Sequence, residues 1–255
     1  MPPVRRTNDP DEPPTARGAL VLAALAIAAI KFVVPFGRLA LYPFTLAATW
    51  VHEMGHGISA LLVGGSFDHL EIFADASGLA HTIDRPGWPD AIVCAGGLLA
   101  PPIVGTAMFA LARGPRRARI VLAALAALML VSIPIWVRTI TGVVAVALVA
   151  ILTAAFAWRG SPRARLVMAQ FLALTLALDT VSRSDYLFTS GATVGGVRRA
   201  SDIQRVADAL GGPYLAWGTL VALIAFALLA IGMRIAWWMP DSAGTPAAAT
   251  TSRRT

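Results

Sequence analysis

The chain has 255 residues, 57% of them hydrophobic and 14% charged, where an ordinary soluble domain carries about 25% charged residues. With a mean hydropathy of +0.69, that balance excludes an ordinary soluble domain and predicts an all-α polytopic membrane protein. The net charge of +7 comes from 20 Arg and one Lys, set between apolar runs where lipid headgroups account for them, and no recognition motif accompanies it, so no nucleic-acid partner is expected.

Residues 1–17 are rich in Pro, Asp, Arg and Thr, with almost nothing to bury, and read as a disordered tail. No cleaved signal peptide is expected there. Residues 18–36 read as a first membrane helix, with Lys31 near one end where it can snorkel. Pro35, Gly37 and Arg38 break the run, and a second helix is predicted over about 40–63, closed by Gly64-Gly65. Residues 66–88 change character. Asp68–Ala74 and Gly78–Asp84 alternate around Asp75-Ala76-Ser77, which signals a β-hairpin between the second and third spans.

A third span covers 89–112. Its small residues Ala91, Ala95, Gly96 and Ala100 allow another backbone close. Pro101-Pro102 should kink or unwind it, and broken backbone at membrane depth belongs against protein or a wet cavity. Its Cys94 is the only cysteine, which excludes an internal disulfide and a cysteine-rich zinc site. After the basic loop Arg113–Arg119, residues 120–136 and 140–157 read as two helices with a very short turn, or as one re-entrant excursion. Residues 166–188 are a sixth span, with Asp179 well inside. Residues 189–212 form a loop in which Ser201-Asp202 caps a short helix through Leu210. Residues 214–238 end the membrane part at Trp237-Trp238, and 239–255 read as a second disordered tail. The sum is about seven transmembrane helices in one domain, 18–238. The arginines leave its orientation open, and the oligomeric state is not legible.

The chemistry is concentrated in the second helix, at His52-Glu53-Met54-Gly55-His56. On a helix, His52 and His56 lie one turn apart on one face. They can chelate one zinc ion, with Glu53 beside it to handle protons on a zinc-bound water. Burying two imidazoles and a carboxylate in apolar surroundings without such a purpose is costly.

A third ligand is needed. The second and sixth spans run the same way, and depth screens the candidates. The histidine pair lies about 21 Å along its helix and Asp179 about 20 Å along the sixth. Asp185 sits about 9 Å further, and Asp202 falls outside the membrane unless its loop folds back. Depth favours Asp179 as the metal ligand. A structural pairing of Asp179 with Arg183 is the alternative. His69, His81 and Glu71 read as ordinary polar hairpin residues.

The stretch from His52 to Gly57, the terminal Gly64-Gly65, the alternating segment and Ala95-Gly-Gly-Leu-Leu-Ala-Pro101 resemble the site-2 protease class of intramembrane zinc metalloproteases, and more narrowly the M50B-like peptidases. The resemblance implies zinc on His52 and His56, Glu53 as general base, and an aspartate from a later helix. It implies hydrolysis of peptide bonds in or near the transmembrane segments of membrane-protein or peptide substrates, as in regulated intramembrane proteolysis, in a multi-pass protein of the lipid bilayer of the cell membrane. The chain departs from the family pattern after Asp179, where Thr-Val-Ser-Arg stands without glycine or proline. A non-proteolytic metal-binding membrane protein or a transporter is the competing reading, although no internal repeat supports the latter.

Overall fold

A computed structural model describes residues 41–182 and 184–237, without the side chains of Ser184, Asp185 and Trp237. Both expected tails, the expected first span 18–36, Arg183 and Trp238 lie outside the described residues. Among the described residues, α1 (Tyr42–Leu62) is followed by β1 (Ser66–Ile72), β2 (Gly78–Ile83), α2 (Trp88–Leu111), α3 (Pro115–Trp136), α4 (Ile140–Arg159) and α5 (Pro162–Ser182). Then come the short α6 (Ser184–Leu187), β3 (Gly191–Val194), β4 (Val197–Ala200), α7 (Asp202–Leu210) and α8 (Tyr214–Trp237).

Five helices, α2, α3, α4, α5 and α8, are long and apolar enough to cross a membrane. Seven spans are therefore met only in part. The motif helix α1 falls short of that set because Thr45, Thr49, His52, Glu53, His56 and Ser59 dilute its apolar character. Residues 115–159 resolve into two helices, α3 and α4, rather than one excursion. Arg116, Arg117 and Arg119 lie in the opening turns of α3, so much of the expected basic loop is helical.

The predicted hairpin is present. β1 and β2 pair antiparallel, Ser66 opposite Ile83 and Ile72 opposite Gly78, with a bulge between Phe67 and His69. Its turn is held by Asp75, whose Oδ1 accepts from the Ser77 backbone at 2.9 Å and hydroxyl at 2.6 Å. The far edge of β1 is fixed to the α3–α4 junction. Arg138 N–H donates to the Leu70 carbonyl at 3.1 Å, and Thr139 and Thr141 hydroxyls donate to that of Ile72 at 3.0 and 2.6 Å. Leu70 and Ile72 are fully buried beneath. The helix before the hairpin stops as its glycine pair predicts. Gly64 N–H reaches the Leu61 carbonyl and Gly65 N–H the Ala60 carbonyl, with Gly64 at φ 80°, where a side chain would be strained.

The central helix is α2, which packs against α1, α5, α7 and α8. Small residues set those distances: Gly55 meets Gly96 and Ala100, and Gly105 meets the α5 backbone at Ala173 and Ala177. α2 stays helical through Pro101-Pro102, so it is not unwound there. Pro102 has no N–H for the Leu98 carbonyl four residues back; the Thr180 hydroxyl donates to it instead, at 2.6 Å.

Candidate metal centre

His52, Glu53 and His56 project from the middle of α1 and are all buried. The imidazole of His56 enters a notch in α2, since any side chain at Gly97 would collide with its ring. There its Nδ1–H donates to the Val93 carbonyl at 2.9 Å. That bond fixes the tautomer and leaves the Nε2 lone pair available as a donor. His52 Nε2 lies 3.0 Å from His56 Nε2.

The carboxylate brought to the two rings is that of Asp202, 150 residues after His52. Its Oδ2 lies 3.2 Å from His52 Nε2 and 3.3 Å from His56 Nε2. Asp202 opens α7. Ser201 caps that helix by accepting from Gln204 N–H at 3.2 Å, and donates its own hydroxyl to the Thr189 carbonyl at 2.6 Å. The cap expected from Ser201-Asp202 is thus present, at the base of the β3–β4 hairpin. Arg205, one turn on, pairs with Asp90 in the first turn of α2, which clamps α7 against the helix that holds His56. Tyr186 donates its hydroxyl to Asp202 Oδ2 at 3.0 Å. Burial opposes ionisation of Asp202, but His56 and His52 outweigh it and hold the carboxyl well below the usual carboxylate range.

These three donor atoms form a closed triangle with edges of 3.0, 3.2 and 3.3 Å. A tetrahedral zinc site with bonds of 2.0–2.1 Å has ligand–ligand edges of about 3.3 Å. Two imidazoles and a carboxylate also suit that ion, so the residues fit it.

Asp179, the aspartate expected from depth, is buried on α5 and lines the same cavity as His52. It stands outside the close donor group. Matched rise along two helices gives level but not lateral distance, and the fold-back of 189–201 is what delivers Asp202 instead. The side chain of Asp185, the other rival, lies outside the described residues.

The cavity beside the triangle has a volume of about 330 Å³. Glu53 lines it with its carboxylate against Gly78, at the start of β2. Ser77, Gly78 and all four residues of β3 line it too. Above, the two hairpin turns meet: Gly195 N–H donates to Ser77 Oγ at 3.1 Å, and Phe73 lies against Gly195. The sequence reading missed this second hairpin. Its signal was Val194-Gly195-Gly196-Val197, two glycines between β-branched residues. Both glycines have positive φ, 56° and 80°. It also passed over Tyr186 and the Asp90–Arg205 pair, which only the tertiary fold brings to the site.

The family model described as Peptidase M50B-like matches residues 20–232. The chain therefore belongs to that family and is an integral membrane protein of a metallopeptidase class. Comparison with curated proteins and with solved structures finds no match.

Proposed function

We propose that the chain is a multi-pass intramembrane zinc metalloprotease of the cell membrane. It cleaves peptide bonds in or near the transmembrane segments of membrane-protein substrates, with His52, His56 and Asp202 as the metal ligands and Glu53 as the general base. The observation that carries this reading is the closed donor triangle with the Glu53 carboxylate in the adjoining cavity. When bound, zinc supplies Lewis acidity, lowering the pKa of water to about 7 and drawing charge from a carbonyl oxygen. Glu53 takes the proton from the attacking water and returns it to the leaving amine. The Val93 carbonyl and the Tyr186 hydroxyl keep His56 and Asp202 oriented. A helical substrate has no accessible peptide group, because its backbone is bonded internally, so it unwinds before reaching Glu53. The start of β2 and the length of β3 border the cavity and offer backbone groups to an extended segment.

The test uses the full chain in proteoliposomes with quenched-fluorescent single-span peptides. Glu53→Gln should lower cleavage by about 10²–10⁴-fold with its zinc content unchanged. Asp202→Ala should lose both zinc and cleavage, while Asp179→Ala keeps its zinc. Unaltered cleavage by Glu53→Gln, or zinc flux into the vesicles with no cleavage by the wild type, would refute the proteolytic reading. Zinc lost from Asp179→Ala and kept by Asp202→Ala would refute the ligand set.

A further inference from the structure

Only residues 112–114 join α2 to α3, yet an apolar groove of about 450 Å³ runs between the two helices. Stripes at one-turn spacing face each other across it, from Ile103 to Leu111 on α2 and from Arg117 to Leu128 on α3. Met108 and Leu125 form its buried floor, and Ile103, Leu111 and Leu128 are exposed at its ends. Ala107 and Ala124 stand midway along the stripes, both exposed, and their small side chains leave the space open. Arg117, in the first turn of α3, is the charged group of the lining and marks the mouth of the groove beside the α2–α3 turn.

At about 1.5 Å per residue the two stripes run about 12 and 17 Å, close to the roughly 15 Å of hydrocarbon in one leaflet. A spanning helix needs about twice that length, so the groove suits a chain that enters from one surface and stops near the midplane. The charge at the mouth is uncompensated. No acidic residue stands between Asp90 and Asp179, a stretch that holds eight arginines, and no described carboxylate pairs with Arg117. Arg113 is engaged at the end of α2, where its Nε–H donates to the Ala110 carbonyl at 2.9 Å. A guanidinium at the edge of a hydrocarbon groove matches a phosphate, which it binds through two parallel N–H groups. The chain's own expected span 18–36 lacks such an anion. Gly55 meets Ala100 and Ser59 meets Gly96, so α2 runs antiparallel to α1 and Leu111 lies near the level at which α1 starts. Span 18–36 leads into α1 at that end with Lys31 and Arg38, and no acid stands between Glu12 and Glu53. It would set like charge beside Arg117.

We propose that the groove binds one anionic phospholipid, with an acyl chain along the α2–α3 seam and its phosphate on the Arg117 guanidinium. The acyl chain fills a seam that the helices leave between them, because α2 packs mainly on α1, α5, α7 and α8, and α3 mainly on α4 and α5. The phosphate supplies the anion that residues 91–178 lack. The site takes no residue from the candidate metal centre, and it stands whether or not the chain is a protease. It lies on the same helix as Gly97, which seats His56, so a bound lipid would brace the outer side of the helix that the metal centre leans on.

The test is native mass spectrometry of the full chain titrated with dioleoyl phosphatidylglycerol or dioleoyl phosphatidylcholine, which share acyl chains and differ in headgroup charge. Wild type should retain one phosphatidylglycerol about fivefold more tightly than phosphatidylcholine, and Arg117→Gln should lose that margin. Arg163→Gln, in the first turn of α5, should bind as wild type does. Ala107→Phe and Ala124→Phe each place a ring in the groove and should weaken both lipids by about tenfold, the loss of roughly two buried methylenes. Both alanines are exposed, so thermal denaturation of these variants should match wild type. Equal retention of the two lipids by wild type, an unchanged margin in Arg117→Gln, or an equal loss in Arg163→Gln would overturn the proposal. So would a wild type that retains neither lipid, and a disulfide in Ala26→Cys/Ala107→Cys would then assign the groove to residues 18–36.

Discussion

The protein carries two histidine pairs that are brought together in opposite ways. His52 and His56 are one helical turn apart, and their carboxylate comes from a segment 150 residues away. His69 and His81 are joined by strand register, and their carboxylate is two residues from one of them. The first pair is buried by its surroundings: a notch in α2, a capped helix and an ion pair outside the ring of donors. The second is half-exposed and is assembled by a 12-residue separation and one turn. A helix presents two imidazoles at fixed spacing and needs a distant segment to complete the group, whereas the hairpin brings its two imidazoles face to face beside a local carboxylate and leaves them half-exposed.

That contrast can be broken at the buried site alone. The largest effect is expected from Gly97→Ala. Its methyl group would strike the His56 ring, and such overpacking costs about 1–3 kcal/mol. The variant should lose zinc and melt earlier, as read by zinc content and thermal denaturation in detergent. Arg205→Met should act more gently. It removes the clamp on α7 and leaves Asp202 in place but less well aimed, so zinc affinity should fall by about 10–100-fold, as read by equilibrium dialysis. Thr180→Val is the smallest. It strips the Leu98 carbonyl of its hydroxyl donor and should cost about 1 kcal/mol, seen as a small drop in melting temperature with zinc content intact.

The same contrast explains what could be read from the chain. The helix of the motif, its glycine stop, the first hairpin and the cap at Ser201 all follow from neighbours within a few residues, and each is where the sequence predicts it. The close approach of α1 and α2 follows from Gly55, Gly96 and Ala100. The nearness of Asp202 to the two imidazoles was not readable in this way. Rise per residue ranks aspartates by level, and Asp179 does sit on the cavity wall. The route by which residues 189–201 fold back onto the cavity is tertiary. So is the contact that meets the carbonyl freed by Pro102, made by a hydroxyl 82 residues distant. Hydropathy likewise counted α1 as a span, although the residues that give the helix its chemistry dilute the signal that defines one.

The long gap between His56 and Asp202 also has a consequence in time. At about 5–20 residues per second of synthesis, roughly 8–30 s separate the emergence of the histidine pair from that of its carboxylate. During that interval the nascent chain holds the two proposed donors and the proposed base on α1, but no complete site. The aspartate arrives with the cap, the Arg205 clamp and the β3 wall, all within residues 191–205. On the proposed ligand set, hydrolytic competence is thereby withheld until residue 202 has been made, and the order of the sequence itself does the work of a pro-segment.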